Sequence, residues 1–354
     1  GSENQQVESA LGEIDSGFCH ESGLLLLRQK EYTAFLVEVQ EGNYCAKCLV
    51  CCICCPYTQK MLGGIEAGGT KFVCGAGIGP EDIHTVQFPT TSPQETIAQA
   101  VAFFQQHSVQ AIGIGSFGPV DLDERSPAFG SITSTPKPGW ENFSIAGAVG
   151  SALGVPVALD TDTNAALLAE ARWGAAAGLA DALYITVGTG IGGGAMANGR
   201  LIHGLMHLEI GHLLLPHDLK RDPFPGACPY HQDCLEGLAA GPAIAARWGV
   251  PAIDLEPSHP AWPLEAHYLA LGLINLTLAL SPRRIVLGGG VMQQMHLFDL
   301  IRAEFARLMN GYIRRREVTE QLENYIVPPA LQGRAGVLGS LVLAEQALAS
   351  AQPA

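Results

Sequence analysis

From Met61 onward the apolar positions alternate between two periods, and the change of period marks the elements. MLGGIEAGGTKFVCGAGIG (61–79) predicts strand, tight glycine turn, strand, so IEAGGTK reads as a hairpin loop rather than a strand-to-helix turn. SPQETIAQAVAFFQQHS (92–108) shifts to helical spacing, with Ser92 as N-cap and Pro93 at the first helical position. AIGIGSFGPV (111–120) predicts a buried strand that ends in a glycine loop. VPVALDTDTNAALLAEARWG (155–174) predicts a strand, a polar loop and a helix closed by Gly174. ALYITVGTGIGGGAMANGRLIHG (182–204) is two strands joined by a second glycine turn. RRIVLGGGV (283–291) repeats the strand-plus-glycine pattern, and VLGSLVLAEQALA (337–349) is a closing helix.

One pattern occurs twice. IEAGGTKFVCGAGI has a counterpart in ITVGTGIGGGAMAN, roughly 120 residues on, each a strand, a glycine turn with threonine, and a returning strand. The repetition implies a duplicated α/β unit with two phosphate loops facing each other across a cleft. It divides the chain into a smaller α/β domain (61–178), completed by the helix at about 337–350, and a larger one (179–336).

Composition narrows the picture. Hydrophobic residues make up 47% of the 354 and charged ones 15%, which excludes bulk disorder. A formal charge of −14 argues against an electrostatic nucleic-acid binder. It leaves phosphate binding open, because backbone N–H groups hold anions without net positive charge. No uninterrupted apolar run reaches the length of about 18 residues that a membrane helix needs, and no signal peptide opens the chain. The expectation is a soluble, cytoplasmic protein without nucleic-acid or membrane partners.

Seven of the ten cysteines lie before residue 60, and only Cys74, Cys228 and Cys234 follow. Residues 1–60 therefore read as a Cys-rich leader, or a segment introduced with an expression tag, outside the catalytic unit. Gly1-Ser2 resembles the pair a protease cut leaves, and natural translation is expected to start at Met61. CAKCLVCCICC (45–55) has the composition of a soft-metal or acyl-accepting stretch, but no histidine or second ligand pair frames it.

Three segments carry chemistry. Gly68, Gly69, Thr70 and Lys71 offer successive N–H donors, a hydroxyl and an ammonium to a polyphosphate, without the spacing of a P-loop. Gly188, Thr189 and Gly190 offer a second set, and such preorganised donors supply most of phosphoryl-transfer catalysis. Asp160 and Asp162 follow the buried run VPVAL at the start of a helix. A carboxylate there can take a proton from an attacking hydroxyl, or Asp162 and Asn164 can simply cap the helix. Finally, His212 with Cys228, His231 and Cys234 forms a Cys2His2 set that fills all four tetrahedral positions of a zinc ion, which makes the metal structural. Glu209 and Glu236 flank those ligands, as though the loop also held carboxylates toward a polyol.

From Met61 to Ala354 these segments resemble the ROK family of sugar kinases, in its bacterial fructokinase branch. EAGGTK (66–71) resembles the first phosphate motif, DTDTN (160–164) the catalytic segment and VGTGIGGG (187–194) the second phosphate motif. EIGH (209–212) with CPYHQDCLEG (228–237) resembles the sugar-and-zinc signature, and AGP (240–242) with LGGGVM (287–292) the nucleotide segments. Glu66 stands where most relatives carry Asp, and CPYH replaces the C-x-C-G-x-x-G-C of glucokinase-like members, which points toward fructose. The resemblance implies an actin/hexokinase-like, ribonuclease-H-like duplicated fold, two domains around a cleft, and a homodimer. It implies Asp162 as general base, with Asn164, Glu209, His212 and Glu236 on the sugar. Around Mg·ATP it implies Gly68, Gly69, Thr70, Lys71, Thr189, Gly190, Pro242, Gly288, Gly289, Gly290, Val291 and Met292. The expected activity is ATP-dependent phosphorylation of fructose to fructose 6-phosphate. The alternatives are a glucose, mannose or N-acetylhexosamine kinase, and a non-catalytic sugar sensor. The family's repressors carry a helix-turn-helix, and residues 1–60 show neither that pattern nor a basic face.

Overall fold

A computed structural model describes residues 61–351 and, before them, the strand residues 24–29 and 32–38. The chain forms two compact units, Gly1–Gln59 and Lys60–Ala354. In the first, β1 (Leu24–Gln29) pairs antiparallel with β2 (Tyr32–Glu38). The cysteine run 45–55 and the expected leader role of 1–60 lie outside the described residues.

In the second unit two five-stranded sheets share one topology. β3 (Leu62–Ala67), β4 (Lys71–Gly77), β5 (His84–Pro89), β6 (Ile112–Ser116) and β7 (Val157–Thr161) are ordered β5-β4-β3-β6-β7. β8 (Ala182–Val187), β9 (Ile191–Ala197), β10 (Arg200–Leu201), β11 (Ile285–Gly288) and β12 (Ile326–Val327) are ordered β10-β9-β8-β11-β12. In each, the first three strands form an antiparallel meander and the last two add in parallel. The sequence repeat is therefore a structural one, and its two glycine turns, 68–70 and 188–190, join the first two strands of each sheet.

Helix α1 (Pro93–Gln105) starts where the pattern places it: Ser92 accepts from the Glu95 N–H and Pro93 occupies the first turn. After α2 (Ile145–Leu153), the expected polar loop between β7 and the next helix is absent. β7 runs directly into α3 (Asp162–Trp173), because Thr161 is both the last strand residue and the N-cap, its side chain accepting from the Asn164 N–H at 3.1 Å. Asp162 is thereby the first residue of α3, and Thr161 does the capping.

The larger half adds α4 (Leu235–Ala239), α5 (Gly241–Trp248), α6 (Ala261–Leu280), α7 (His296–Met309), α8 (Arg316–Thr319) and α9 (Leu322–Tyr325). α6 is long and apolar enough to cross a bilayer by length and composition. Here it is a core helix, packed on α7, with Trp262, Tyr268 and even Glu265 buried. The closing helix α10 (Ala335–Ser350) lies on β3, β6 and α3 of the first half. Glycines permit that approach: a Cβ at Gly113 would collide with the Ser340 carbonyl, and one at Gly339 with the Ala165 carbonyl. Ser340 Oγ donates to the Ile65 carbonyl at 2.9 Å and accepts from the Gly115 N–H at 3.2 Å, which satisfies its hydroxyl inside the contact.

Candidate active site

Both sheets end their central strands toward one cavity of about 890 Å³. Glu66, Lys71 and Asp162 line it from the first half, Gly288, Gly289, Gly290 and Met292 from the second, and Gly336 from the start of α10. Gly289 adopts φ +98°, and a side chain there would strike Val187, so β11 closes onto the base of the second turn. Val291 is buried behind that wall. Gly68, Gly69, Thr70, Thr189, Gly190, Pro242, Asn164, Glu209, His212 and Glu236 lie outside this lining.

The two turns are built alike. The Gly68 N–H donates to the Lys71 carbonyl at 3.0 Å, and the Gly188 N–H to the Gly190 carbonyl at 2.9 Å. Among the described residues, the N–H groups of Gly69, Thr70, Thr189 and Gly190 have no protein partner. Free, adjacent donors of this kind suit an anion. The second turn is anchored by the Gly241 N–H, which donates to the Gly188 carbonyl at 2.7 Å and sets Pro242 at the first turn of α5 beside it.

Asp162 is a strongly perturbed carboxyl of the cavity. Burial, reinforced by the charges of Glu66 and Glu209, pushes it up to about 7, against the lowering effect of the Thr163 N–H that donates to its Oδ1 at 2.8 Å. Burial also raises Glu66, with Lys71 opposing it. The Oε2 of Glu66 is buried and has no hydrogen-bond partner. A carboxyl poised near neutrality in a cleft is suited to proton transfer.

Asn164 has partners within the scaffold. It is 2% exposed, and its Nδ2 donates to Asp160 Oδ1 at 2.7 Å and lies 3.3 Å from His203 Nε2. His203 in turn meets Asp160 Oδ2 at 2.9 Å, and this hydrogen bond raises its pKa. Asp160, Asn164 and His203 thus form a cluster, buried at Asp160 and Asn164 and exposed at His203, that joins α3 to the segment after β10. His203 had no motif to mark it.

Four ligand atoms converge as their spacing predicts: those of His212, Cys228, His231 and Cys234 all lie within 4.8 Å of one another. His212 Nδ1 is 3.7 Å from Cys228 Sγ and 3.6 Å from Cys234 Sγ, and His231 Nδ1 is 3.8 Å from Cys228 Sγ. This cluster could hold a metal ion. It would tie Glu209, at the start of the 3-10 turn Ile210–His212, to Cys234, which precedes α4 and its first-turn Glu236. Glu236 reaches further: its Oε2 accepts the Ile191 N–H at 2.9 Å, just past the second turn.

The comparisons agree with this geometry. Residues 62–347 match the model of the ROK family. A Bacillus subtilis (strain 168) protein named provisionally as a fructokinase is 50% identical over 291 residues, 81% of this chain and 96% of that protein. A Pediococcus pentosaceus fructokinase is 43% identical over 292 residues, 82% of this chain and all of that protein. Among solved structures, a ROK-family glucokinase from Streptomyces griseus, in complex with glucose and AMPPNP, is 27% identical with a TM-score of 0.64, covering 81% of this chain and 99% of that one. The chain belongs to the ROK family. Its fold is the duplicated, two-domain actin/hexokinase-like α/β fold, and the enzyme is an ATP-dependent hexose kinase.

Proposed function

We propose that the protein is a fructokinase that transfers the γ-phosphoryl group of ATP to the 6-hydroxyl of D-fructose, yielding fructose 6-phosphate and ADP. The observation that carries this reading is Asp162, a carboxyl that burial pushes up to about 7 at the wall of a cavity that Lys71, next to the first glycine turn, also lines. The fructokinase names of relatives at 50% and 43% identity, together with the CPYH form of the metal loop, favour fructose over other hexoses. The Streptomyces griseus enzyme, bound to glucose and AMPPNP, supports a hexose and an adenine nucleotide as the two ligands.

In this reading Asp162 accepts the proton of the sugar hydroxyl as its oxygen bonds to phosphorus and the bond to ADP breaks. The free N–H groups of Gly69, Thr70, Thr189 and Gly190, with Lys71, hold the phosphates in line. Gly288–Met292 and Pro242 flank the rest of the nucleotide. Glu209 and Glu236 take sugar hydroxyls, and His212, whose Nδ1 faces the two sulfurs, keeps Nε2 for the same purpose. Closure of the two domains, 61–178 with 337–350 and 179–336, excludes water that would otherwise hydrolyse ATP.

Two ions fit the residues present. Tetrahedral zinc with bonds of about 2.0–2.3 Å places its donors roughly 3.3–3.8 Å apart, which matches the sulfur–nitrogen separations of the Cys2His2 cluster. With every position filled by protein, zinc would act as a brace for Glu209 and Glu236. Mg²⁺ suits the unpartnered buried Oε2 of Glu66. When bound with ATP it neutralises charge that develops on the phosphates. A cytoplasmic homodimer completes the proposal.

The test is Asp162→Asn. Calorimetry should show fructose and AMPPNP bound within about threefold of the wild type, while kcat falls by roughly 10²–10⁴. A variant that keeps kcat within tenfold removes Asp162 from the reaction.

A further inference from the structure

We infer that Lys137 is a positioning residue of the phosphate site, one that aims the Gly69–Thr70 peptide at the transferring phosphoryl group. The inference rests on the proposed reading of 68–71 as a phosphate turn.

The turn's carbonyls are all tied back. Thr90 Oγ1 donates to the Gly68 carbonyl at 2.7 Å, the Thr90 N–H donates to the Thr70 carbonyl at 3.0 Å, and the Lys137 ammonium donates to the Gly69 carbonyl. In a planar trans peptide the C=O and N–H point to opposite sides. The Thr90 hydroxyl, by holding the Gly68 carbonyl, therefore turns the Gly69 N–H away from the protein. Lys137, by holding the Gly69 carbonyl, does the same for the Thr70 N–H. Those are the two donors of this turn that have no protein partner among the described residues. Gly69 has nothing within 4 Å of where a Cβ would stand, so sterics alone leave its peptide free to rotate. A charged hydrogen bond from Lys137 is what fixes it.

The base of the Lys137 arm is rigid. Three residues on, Trp140 is fully buried, donates from Nε1 to the Thr91 carbonyl at 2.9 Å, and packs on Phe72 at 5.4 Å between ring centroids. Phe72 follows Lys71 on β4, so the arm and the turn are locked to the same strand. Charge adds to the geometry. The lysines after Met61 are Lys71, Lys137 and Lys220, and two of these three stand at the one turn, in a protein of net charge −14. Among the described residues no arginine lines the cavity, whereas Glu66 and Asp162 do. Lys137 thus supplies the second cation near a site where phosphate charge must gather.

The experiment compares MgADP with Mg·AMPPNP by titration calorimetry for the wild type, Lys137→Met, Lys137→Arg and Lys71→Met, alongside fructose-dependent kcat and KM. The γ-phosphoryl analogue isolates what Lys137 is inferred to control. Lys137→Met should weaken Mg·AMPPNP by about tenfold or more and lower kcat by at least as much. It should leave MgADP and fructose affinities within about twofold, and Lys137→Arg, which still donates to a carbonyl, should recover most of the loss. Equal weakening of both nucleotides that arginine does not rescue shows a structural role alone and overturns the inference. A normal Lys137→Met beside a defective Lys71→Met overturns it while the phosphate turn stands. If neither lysine variant affects Mg·AMPPNP, the reading of 68–71 as a phosphate turn falls, and this inference with it.

Discussion

Glu236 Oε2 accepts the backbone N–H of Ile191 at 2.9 Å, which ties a carboxylate of the metal loop to the first strand residue beyond the second glycine turn. A side chain at Gly190 would meet the same oxygen at 2.6 Å, so glycine there keeps the contact open. The elements proposed to hold the sugar and the phosphates are thus joined by one hydrogen bond. Glu236→Ala should cut kcat/KM for fructose by roughly 10²-fold and also raise KM for ATP, because both elements lose their link. Glu236→Gln can still accept from Ile191 and should keep KM for ATP near wild type. Steady-state kinetics with each substrate varied in turn separates the two variants.

Asp162 carries a pH signature of opposite sign in activity and in stability. Its carboxyl titrates near 7, so kcat/KM at low concentrations of both substrates should fall about tenfold per pH unit below 7. Its folded pKa lies above that of an aspartate in the unfolded chain. The stability it contributes is therefore fully present below about pH 4 and is lost as pH rises toward 7. Asp162→Asn escapes that loss. It should melt higher than the wild type at pH 8, by an equivalent of about 1–2 kcal/mol after allowance for screening in the half-open cleft, and the two should converge at pH 4. Melting curves at the two pH values check this.

Stripping the metal should act through position rather than chemistry. Chelation, or Cys228→Ser with Cys234→Ser, should release the 209–236 segment, abolish turnover and lower affinity for fructose, while MgADP binding stays within about threefold. Added zinc should restore activity to the chelated protein. Full activity in verified metal-free protein contradicts the bracing role.

Glu170 makes a stability prediction independent of catalysis. Fully buried, it accepts the N–H groups of Ala175 at 2.6 Å, Ala330 at 3.1 Å and Leu331 at 2.9 Å, which clamps the end of α3 to the segment leading into α10. Removing it leaves three donors unpaired, that of Leu331 buried and those of Ala175 and Ala330 partly so. Glu170→Ala should cost about 3 kcal/mol and lower Tm by roughly 5–10 °C.

What the sequence disclosed was local or repeated. Both glycine turns, the Ser92–Pro93 helix start and the His212–Cys228–His231–Cys234 spacing are short-range patterns, and the repeated turn foreshadowed two sheets of identical strand order. The polar loop predicted before α3 vanished because one residue, Thr161, both ends a strand and caps a helix, and an ordinary run of polar residues carries no sign of that economy. The resemblance of DTDTN implies Asn164 on the sugar, and its contacts within the protein were not legible in the sequence. Its partners are Asp160 and His203, the latter 39 residues away, and only the tertiary fold brings them together. Lys137 reaches Gly69 across 68 residues, from a segment with no motif. Its one trace in the sequence was the scarcity of lysine after Met61.

The most direct measurement is ADP release from Mg·ATP by zinc-replete protein, with fructose, glucose, mannose and N-acetylmannosamine supplied in turn. Fructose should turn over with kcat/KM at least about tenfold above the other sugars, a margin of about 1.4 kcal/mol at the transition state. Equal or faster turnover of another sugar would contradict the assignment to fructose, and the absence of turnover with all four would contradict the kinase mechanism itself.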